Sequence, residues 1–158
     1  SDMMWLPEHG VGAVVLTNGD PGWVLRTVFQ RKLLEVLFDG HDEADAEVTS
    51  AAENFYTYRA ADRDLLNVPA DAAEASNLSA HYQNEALGDI EVRREGDRTV
   101  FDFGEFRSEV ASRENPDGSI SFLTIEPGID GFEFVVGDDA GKTLTIRDAQ
   151  HEYVFTGS

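Results

Sequence analysis

The second half of the chain, residues 80–155, alternates apolar and polar side chains in short runs, and this alternation constrains the fold most strongly. Turn-forming Gly, Asp, Asn and Pro residues separate the runs at intervals of roughly 8–12 residues, as in β-sandwiches and β-barrels. Because the turns are tight and no helical segment separates the runs, the pattern predicts an antiparallel up-and-down meander. About seven or eight strands are enough to close such a sheet and remove its free edges.

The predicted strands share period-two alternation, and each one ends at a turn signal. They cover the run around Ile90 and Val92 and then residues 98–103, 106–112, 119–125, 132–136, 142–147 and 151–156. The sharpest turn signal is Asn115-Pro116-Asp117-Gly118, whose last position favours a positive φ. We therefore expect a positive φ at Gly118, and Gly88 marks a second place where the chain leaves a strand.

Aromatic residues recur along the predicted strands, so they either fill the barrel or line a ligand cavity. A barrel of about eight strands lies at the size where either outcome is possible. A filled core is the simpler interpretation, and it predicts that Phe103, Phe122, Phe134 and Phe155 are buried. The whole aromatic set comprises Phe101, Phe103, Phe106, Phe122, Phe132, Phe134, Tyr153 and Phe155.

The N-terminal residues predict two strands and a helix. Residues 3–6 form a short apolar run, and residues 11–17 form a denser run that is apolar on both faces. A strand without a polar face needs cover on both sides, as in a layered α/β sheet. Two strands and one helix cannot bury so much apolar surface by themselves, so this segment is expected to have a partner.

The helix is predicted over residues 23–38, with Asp20 as N-cap, Pro21 at the first helical position and Gly40 as the stop. An acidic segment then leads into a second, Ala-rich helix that runs to about Leu66. Apolar residues at helical spacing form a wide stripe along the first helix. The stripe comprises Val24, Leu25, Val28, Phe29, Leu33, Val36 and Leu37.

These patterns divide the chain into three parts. Residues 1–40 form an incomplete strand-strand-helix piece, residues 41–78 a helical linker ended by Pro69, and residues 79–158 the barrel. The second helix places Phe55, Tyr58 and Leu65 along one side.

Charge and composition disfavour two kinds of partner and exclude the chemistry that depends on cysteine. The net charge of −19 disfavours binding to nucleic acid or to an anionic membrane surface. The chain has no cysteine, which excludes disulfides and thiolate metal sites. No apolar run approaches the roughly 18–20 residues of a membrane-spanning helix.

No residue is assigned a catalytic, cofactor-binding or metal-binding role from its spacing. The four histidines are scattered, and none has the spacing of a metal-binding pair. The acidic clusters lack the alternating ligands of a calcium loop, and outward-facing strand charges account for the barrel arginines. The residues to which this applies are His9, His41, His81, His151, the acids Asp42, Glu43, Asp45, Glu47, Asp138 and Asp139, and the arginines Arg93, Arg94, Arg98 and Arg147.

Three stretches occur in an order that resembles one family. The run from Trp5 to Asn18, which contains Val-Gly-Ala-Val-Val-Leu-Thr-Asn, resembles the last strands of the serine β-lactamase-like hydrolases. That group includes penicillin-binding proteins, class C β-lactamases, D-aminopeptidases and related esterases. The helix at residues 23–38 matches their C-terminal helix, and Tyr82-Gln83-Asn84-Glu85-Ala86-Leu87-Gly88 with the following hairpins is similar to their lipocalin-like C-terminal extension.

The resemblance implies that the chain is a C-terminal portion without the catalytic residues. The family uses a Ser-x-x-Lys nucleophile, in which the lysine accepts the serine proton. Here Phe29 and Asp139 stand three positions before the only lysines, Lys32 and Lys142. Hydrolase activity is therefore not expected of this chain alone.

The family's two other motifs are also not matched in a functional place. Lys142-Thr143 is followed by Leu144, so it matches only half of the Lys-Thr-Gly motif. Tyr82-Gln83-Asn84 matches Tyr-x-Asn, but it opens the barrel after the family's final helix. By the family's order, the third motif would precede Ser1.

Two other classes stay open beside the hydrolase fragment. One is a stand-alone lipocalin-like module that binds a small ligand or drives oligomerisation, and the other is a purely structural domain. In each case residues 3–38 are the expected contact, either with the missing catalytic portion, with a second copy of the chain or with the chain's own barrel.

Overall fold

A computed structural model describes residues 1–19, 22–137 and 141–158. The chain forms two compact units, Ser1–Asp64 and Leu65–Ser158. The boundary falls within residues 41–78, the segment predicted as a helical linker. Within the described residues, no helix is long and apolar enough to cross a membrane.

The C-terminal unit is a closed, antiparallel, up-and-down barrel of eight strands, which confirms the predicted fold class. Each strand pairs with its neighbours in sequence, and the last strand closes the barrel against the first. The strands are β3 (His81–Asn84), β4 (Gly88–Glu95), β5 (Arg98–Asp102), β6 (Arg107–Glu114), β7 (Ile120–Thr124), β8 (Glu133–Val136), β9 (Thr143–Arg147) and β10 (Glu152–Gly157).

The barrel core consists of inward-facing side chains, many of them aromatic. Phe122, Phe134 and Phe155 are buried as predicted, and cross-strand pairing sets Phe122 opposite Phe134. The prediction was wrong for Phe103, which is only partly buried because it follows the end of β5 and lies at the rim. The most deeply buried part of the core comprises Tyr82, Ile90, Phe101, Val110, Phe122, Phe134, Leu144 and Phe155.

A short helix, α3 (Ala72–Ser76), packs Ala75 into this core, and Ala70 just before the helix is buried there as well. Asp71 caps α3 by accepting hydrogen bonds from the N–H groups of Ala73 and Glu74 at 2.9 and 3.0 Å. The Asp71 N–H in turn donates to the Ser112 Oγ at 2.9 Å. The segment that the sequence predicted only as a connector therefore belongs to the barrel's packing.

The N-terminal unit contains a two-stranded antiparallel hairpin and two helices. The hairpin pairs β1 (Asp2–Leu6) with β2 (Val11–Val15) through a turn of 3₁₀ helix at Pro7–His9. The helices are α1 (Gly22–Phe38), which was predicted from periodicity, and α2 (Ala44–Asp64), which was predicted from its acidic start and Ala-rich composition. The predicted N-cap Asp20 and the predicted N1 residue Pro21 lie outside the described residues.

Helix α1 ends at Phe38, as predicted, but the residue that ends it is not a glycine. Asp39 adopts the left-handed conformation with φ 55°, and the Gly40 N–H donates to the Glu35 carbonyl at 2.9 Å. This is the Schellman arrangement with Asp39 at the left-handed position, which aspartate tolerates better than most residues. The predicted end is correct, but the left-handed residue is Asp39 and not Gly40.

Truncating a buried ring tests the filled core. Phe122→Ala is expected to lower the free energy of unfolding by about 3–5 kcal/mol, because it removes a wholly buried side chain and leaves a cavity. Phe106→Ala is the matched control, since Phe106 is 43 % exposed and should cost much less. Urea denaturation of both variants measures the difference, and equal costs would contradict a core built around Phe122.

Gly118 has φ 84°, as predicted. Gly118→Val is expected to lower the free energy of unfolding by more than about 1 kcal/mol. A Cβ there would meet no atom within 4 Å, so the cost arises from the backbone and not from a clash. Gly118→Asn should recover much of the loss, because asparagine tolerates positive φ; valine and asparagine variants of equal stability would refute this account.

Candidate functional site

One face of the β1–β2 hairpin carries large apolar side chains in full contact with solvent. Met3 and Trp5 on β1, Val14 on β2 and Leu16 just after it are 61 to 77 % exposed. The strands' alternating burial pattern places Met3, Trp5 and Val14 on the same side. We call the surface formed by these four residues the open hairpin face.

The opposite face of the hairpin is partly covered by α1. The Gln30 Nε2 donates to both carboxylate oxygens of Asp2, at 3.4 and 3.3 Å. The His9 and Phe38 rings meet edge to face, with centroids 4.8 Å apart. A sheet covered on one side and apolar on both is half of a layered structure.

The open hairpin face also has a defined local packing. The Trp5 indole lies against the backbone of Gly12, its cross-strand partner. A Cβ built at Gly12 would lie 2.6 Å from the indole Cε3, so only glycine admits the ring in this position. The tryptophan is thereby held flat on the sheet and presented to solvent.

The N-terminal unit buries little apolar surface for its size. Among the hydrophobic residues of this unit that the structure describes, only Val24, Val28 and Ala44 are buried. Of the predicted stripe on α1, Leu25, Val36 and Leu37 are exposed, so the helix adds to the exposed apolar surface of this unit. The exposed large residues of α1 are Trp23, Leu25, Leu34, Val36, Leu37 and Phe38.

The acidic cluster at the start of α2 pairs with cations of α1. Arg31 lies 3.4 Å from a Glu43 oxygen and 3.1 Å from a Glu47 oxygen. The Lys32 Nζ lies 2.6 and 2.9 Å from Asp42 and Asp45. The hydrogen bonds that Lys32 donates to Asp42 and Asp45 raise the pKa of its ammonium group, so the lysine stays charged.

A side-chain cap also joins α2 to α1. The Glu35 Oε1 accepts hydrogen bonds from the Glu43 and Ala44 N–H groups, both at 3.0 Å, and so caps the first turn of α2. Tyr58 is exposed on α2, whereas Phe55 is partly buried with its ring 6.3 Å from that of Trp23. The ion pairs of the acidic cluster and the cap from Glu35 thus both join α1 to α2.

The four histidines lie in separate places. His9 contacts Phe38, His81 lies 3.3 Å from Asp89, and His151 lies 3.5 Å from Asp148. His41 is exposed before α2. No group of three potential metal-ligating side chains forms among the described residues, and the predicted turn at Asp138 and Asp139 lies outside them.

The barrel arginines differ in direction. Arg93 pairs with Glu91 and Asp102 on the outer wall, and Arg147 pairs with Glu152. The prediction of an outward-facing side chain was wrong for Arg94, which donates hydrogen bonds to the Ala75 carbonyl and to the Thr99 Oγ1. Period-two alternation places Arg94 on the same face as Ile90 and Val92, and burial lowers the pKa of its guanidinium.

The Tyr-x-Asn match has a structural role in the barrel. The Tyr82 hydroxyl is buried, donates to the Gly141 carbonyl and accepts from the Ser79 N–H at 3.0 Å. The Asn84 Oδ1 accepts from the Ala86 and Leu87 N–H groups at 2.9 Å and shapes the β3–β4 turn. Tyr82 and Asn84 therefore bind backbone groups of the barrel itself.

Sequence reasoning missed two buried hydroxyls. The Ser108 Oγ accepts from the N–H groups of Ile125 and Glu126, both at 3.1 Å. The Thr124 Oγ1 donates to the Ile129 carbonyl and accepts from the Phe132 N–H. They fix the β7–β8 loop, and the only local signal was a polar residue at an inward position of each strand.

Comparisons of the chain with protein families, with curated proteins and with solved structures found no match.

Removing the Tyr82 hydroxyl tests whether its hydrogen bonds stabilise the barrel. Tyr82→Phe is expected to lower the free energy of unfolding by about 1–3 kcal/mol, because a buried carbonyl and a buried N–H lose their partner. Tyr153→Phe serves as the control, since Tyr153 is only partly buried. Thermal and urea unfolding measure both variants, and a Tyr82→Phe variant as stable as the parent would contradict the structural role.

Proposed function

We propose that this chain is the C-terminal portion of a larger serine β-lactamase-like hydrolase. In that protein the hairpin and α1 complete the sheet and helix layer of the catalytic domain, and the barrel is an accessory domain. The observation that carries the proposal is the open hairpin face, an apolar sheet surface on a two-stranded sheet with both outer edges unpaired among the described residues.

Physical reasoning supports a missing partner for this surface. A two-stranded sheet is marginal in water, and a contiguous apolar surface with free strand edges promotes association. The open hairpin face carries no charged side chain to oppose docking. It therefore suits the interior of a layered sheet, where another helix layer covers the face and further strands pair with the edges.

The resemblance supports the identity of that partner. Trp5 to Asn18 and α1 match the family's final strands and final helix, in the family's order. The barrel follows in the position of the family's lipocalin-like extension. The nucleophilic serine and its lysine would then be supplied by the upstream portion, since no serine here has a lysine three positions later.

Without that portion, the open hairpin face is expected to drive self-association. Light scattering of the purified chain should give a mass above 17.4 kDa that falls towards this value in Val14→Lys. A lysine at this position must be desolvated if the face is covered. Val154→Lys, at an exposed apolar position on the barrel, is the matched control and should leave the mass unchanged.

A stable monomer of the parent chain would contradict this expectation, as would an equal effect of the two lysine variants. If Val14→Lys stayed associated, the contact would lie elsewhere, and the proposed docking surface would be wrong.

The isolated chain is also expected to lack hydrolase activity. Turnover of a chromogenic ester and of a chromogenic cephalosporin should stay at background, because no activated serine is present. The chain containing its upstream residues should hydrolyse at least one of them. Turnover by the isolated chain that a serine-directed acylating reagent titrates would overturn the proposal.

A further inference from the structure

A groove on the outer wall of the barrel is the strongest feature that the hydrolase proposal leaves unused. It has a volume of about 460 Å³ and lies between strands β4–β6 and the β7–β8 loop. Its apolar lining includes Val100, Phe106 and Ile129. A volume of roughly 300–1,000 Å³ is typical of small-molecule sites.

The walls of this groove are held in place by the barrel. The hydrogen bonds of the buried Ser108 and Thr124 hydroxyls fix the loop that carries Glu126 and Ile129. On the other side, the Phe106 ring stacks on Phe103 with centroids 4.6 Å apart and an interplanar angle of 23°. The groove is therefore preformed, which reduces the entropic cost of binding.

Two arginines in the groove keep unused hydrogen-bonding capacity. Arg98 lies 3.5 Å from Glu95 and 3.7 Å from Glu109, and Arg107 lies 3.8 Å from Glu95. Charge-assisted hydrogen bonds are about 2.7–2.9 Å long, so these pairs hold the guanidiniums nearby without saturating their N–H groups. Both side chains are more than half exposed, at 51 and 68 %.

The loop side of the groove carries a carboxylate, whose charge is opposite to that of the two arginines. Glu126 lines the groove and makes no ion pair with any residue that the structure describes. The strands also contribute the carboxylates of Glu95 and Glu109, so the groove presents two guanidiniums and three carboxylates around an apolar surface. Groups of both charges beside an apolar surface match a ligand with an anionic end, a cationic end and an apolar body.

We propose that this groove binds a zwitterionic amino acid or dipeptide with apolar side chains. The ligand carboxylate is bound by Arg98 and Arg107, the ligand ammonium by Glu126, and the apolar side chain rests on Phe106 and Ile129. This proposal does not depend on the hydrolase proposal, because every residue in it belongs to the barrel unit.

The test uses the dipeptide leucyl-phenylalanine as a probe, titrated into the full chain and followed by NMR. Its C-terminal amide lacks the carboxylate, and its N-acetyl form lacks the ammonium. Saturable shifts are expected at groove residues, with affinity lowered about tenfold or more for either derivative, the effect of losing a charge-assisted contact. The N-acetyl form also mimics the C-terminus of a protein, so it separates that ligand from a free dipeptide.

Two variants test the residues directly. An Arg98→Gln/Arg107→Gln double variant should lose affinity for the dipeptide, while its weak binding of the amide stays the same as that of the parent. Glu126→Gln should also lose affinity for the dipeptide, while its weak binding of the N-acetyl form stays the same as that of the parent. Arg147→Gln is the matched control, because Arg147 is 62 % exposed on the same barrel but outside this groove. It should bind the dipeptide as the parent does.

The proposal is overturned if the parent chain shows no saturable shifts at the groove, or if the dipeptide and either derivative bind equally. It is also overturned if Arg147→Gln loses as much affinity as the double variant. Should the double variant fail to fold, the comparison of the dipeptide with its amide on the parent chain still decides the role of the arginines.

Discussion

Closure of the sheet is the constraint on which the barrel unit depends. The closing contact pairs only a short stretch of β10 with β3, where Gly157 lies opposite Tyr82. A side chain at Gly157 would come within 2.3 Å of the Ser79 Oγ, so the absence of a Cβ lets the two segments approach. Once closed, the sheet has no free edge, and its inward-facing rings are shielded from water on all sides.

The N-terminal unit shows the opposite condition. Its sheet has two strands whose outer edges pair with no other strand in the part of the chain that the structure describes, and its small buried core contrasts with a wide exposed apolar surface. Ion pairs hold α1 to α2, but exposed ion pairs contribute little to stability and cannot replace a buried core. The two units therefore differ, since the barrel buries most of its apolar side chains internally and the N-terminal unit leaves many of its own exposed.

A few hydroxyl groups buried beside the apolar core hold loops of the barrel in place. Buried hydroxyls are tolerated only where they are hydrogen-bonded, and here they bind the backbone of loops. Ser112 holds the start of α3, while Ser108 and Thr124 hold the β7–β8 loop. The β7–β8 loop is thus positioned by the core.

The sequence by itself determined the parts of this protein that depend on local periodicity. Alternation at Ile90 and Val92 and the turn at Gly118 marked the strands, because side-chain direction in a strand has a period of two. The same reasoning located α1 and predicted that residues 3–38 need a partner. Local periodicity could not predict α3, because its apolar residues are too few and too small to form a pattern.

Only the tertiary structure decided where the long-range contacts fall. Arg94 turns to the Ala75 carbonyl, Tyr82 reaches Gly141, and Ser108 binds a loop 17 residues away. Each contact joins segments that are distant in sequence, so no local pattern encodes it. The rim position of Phe103 and the groove beside Phe106 follow from how the sheet closes, because barrel curvature decides which side chains meet water.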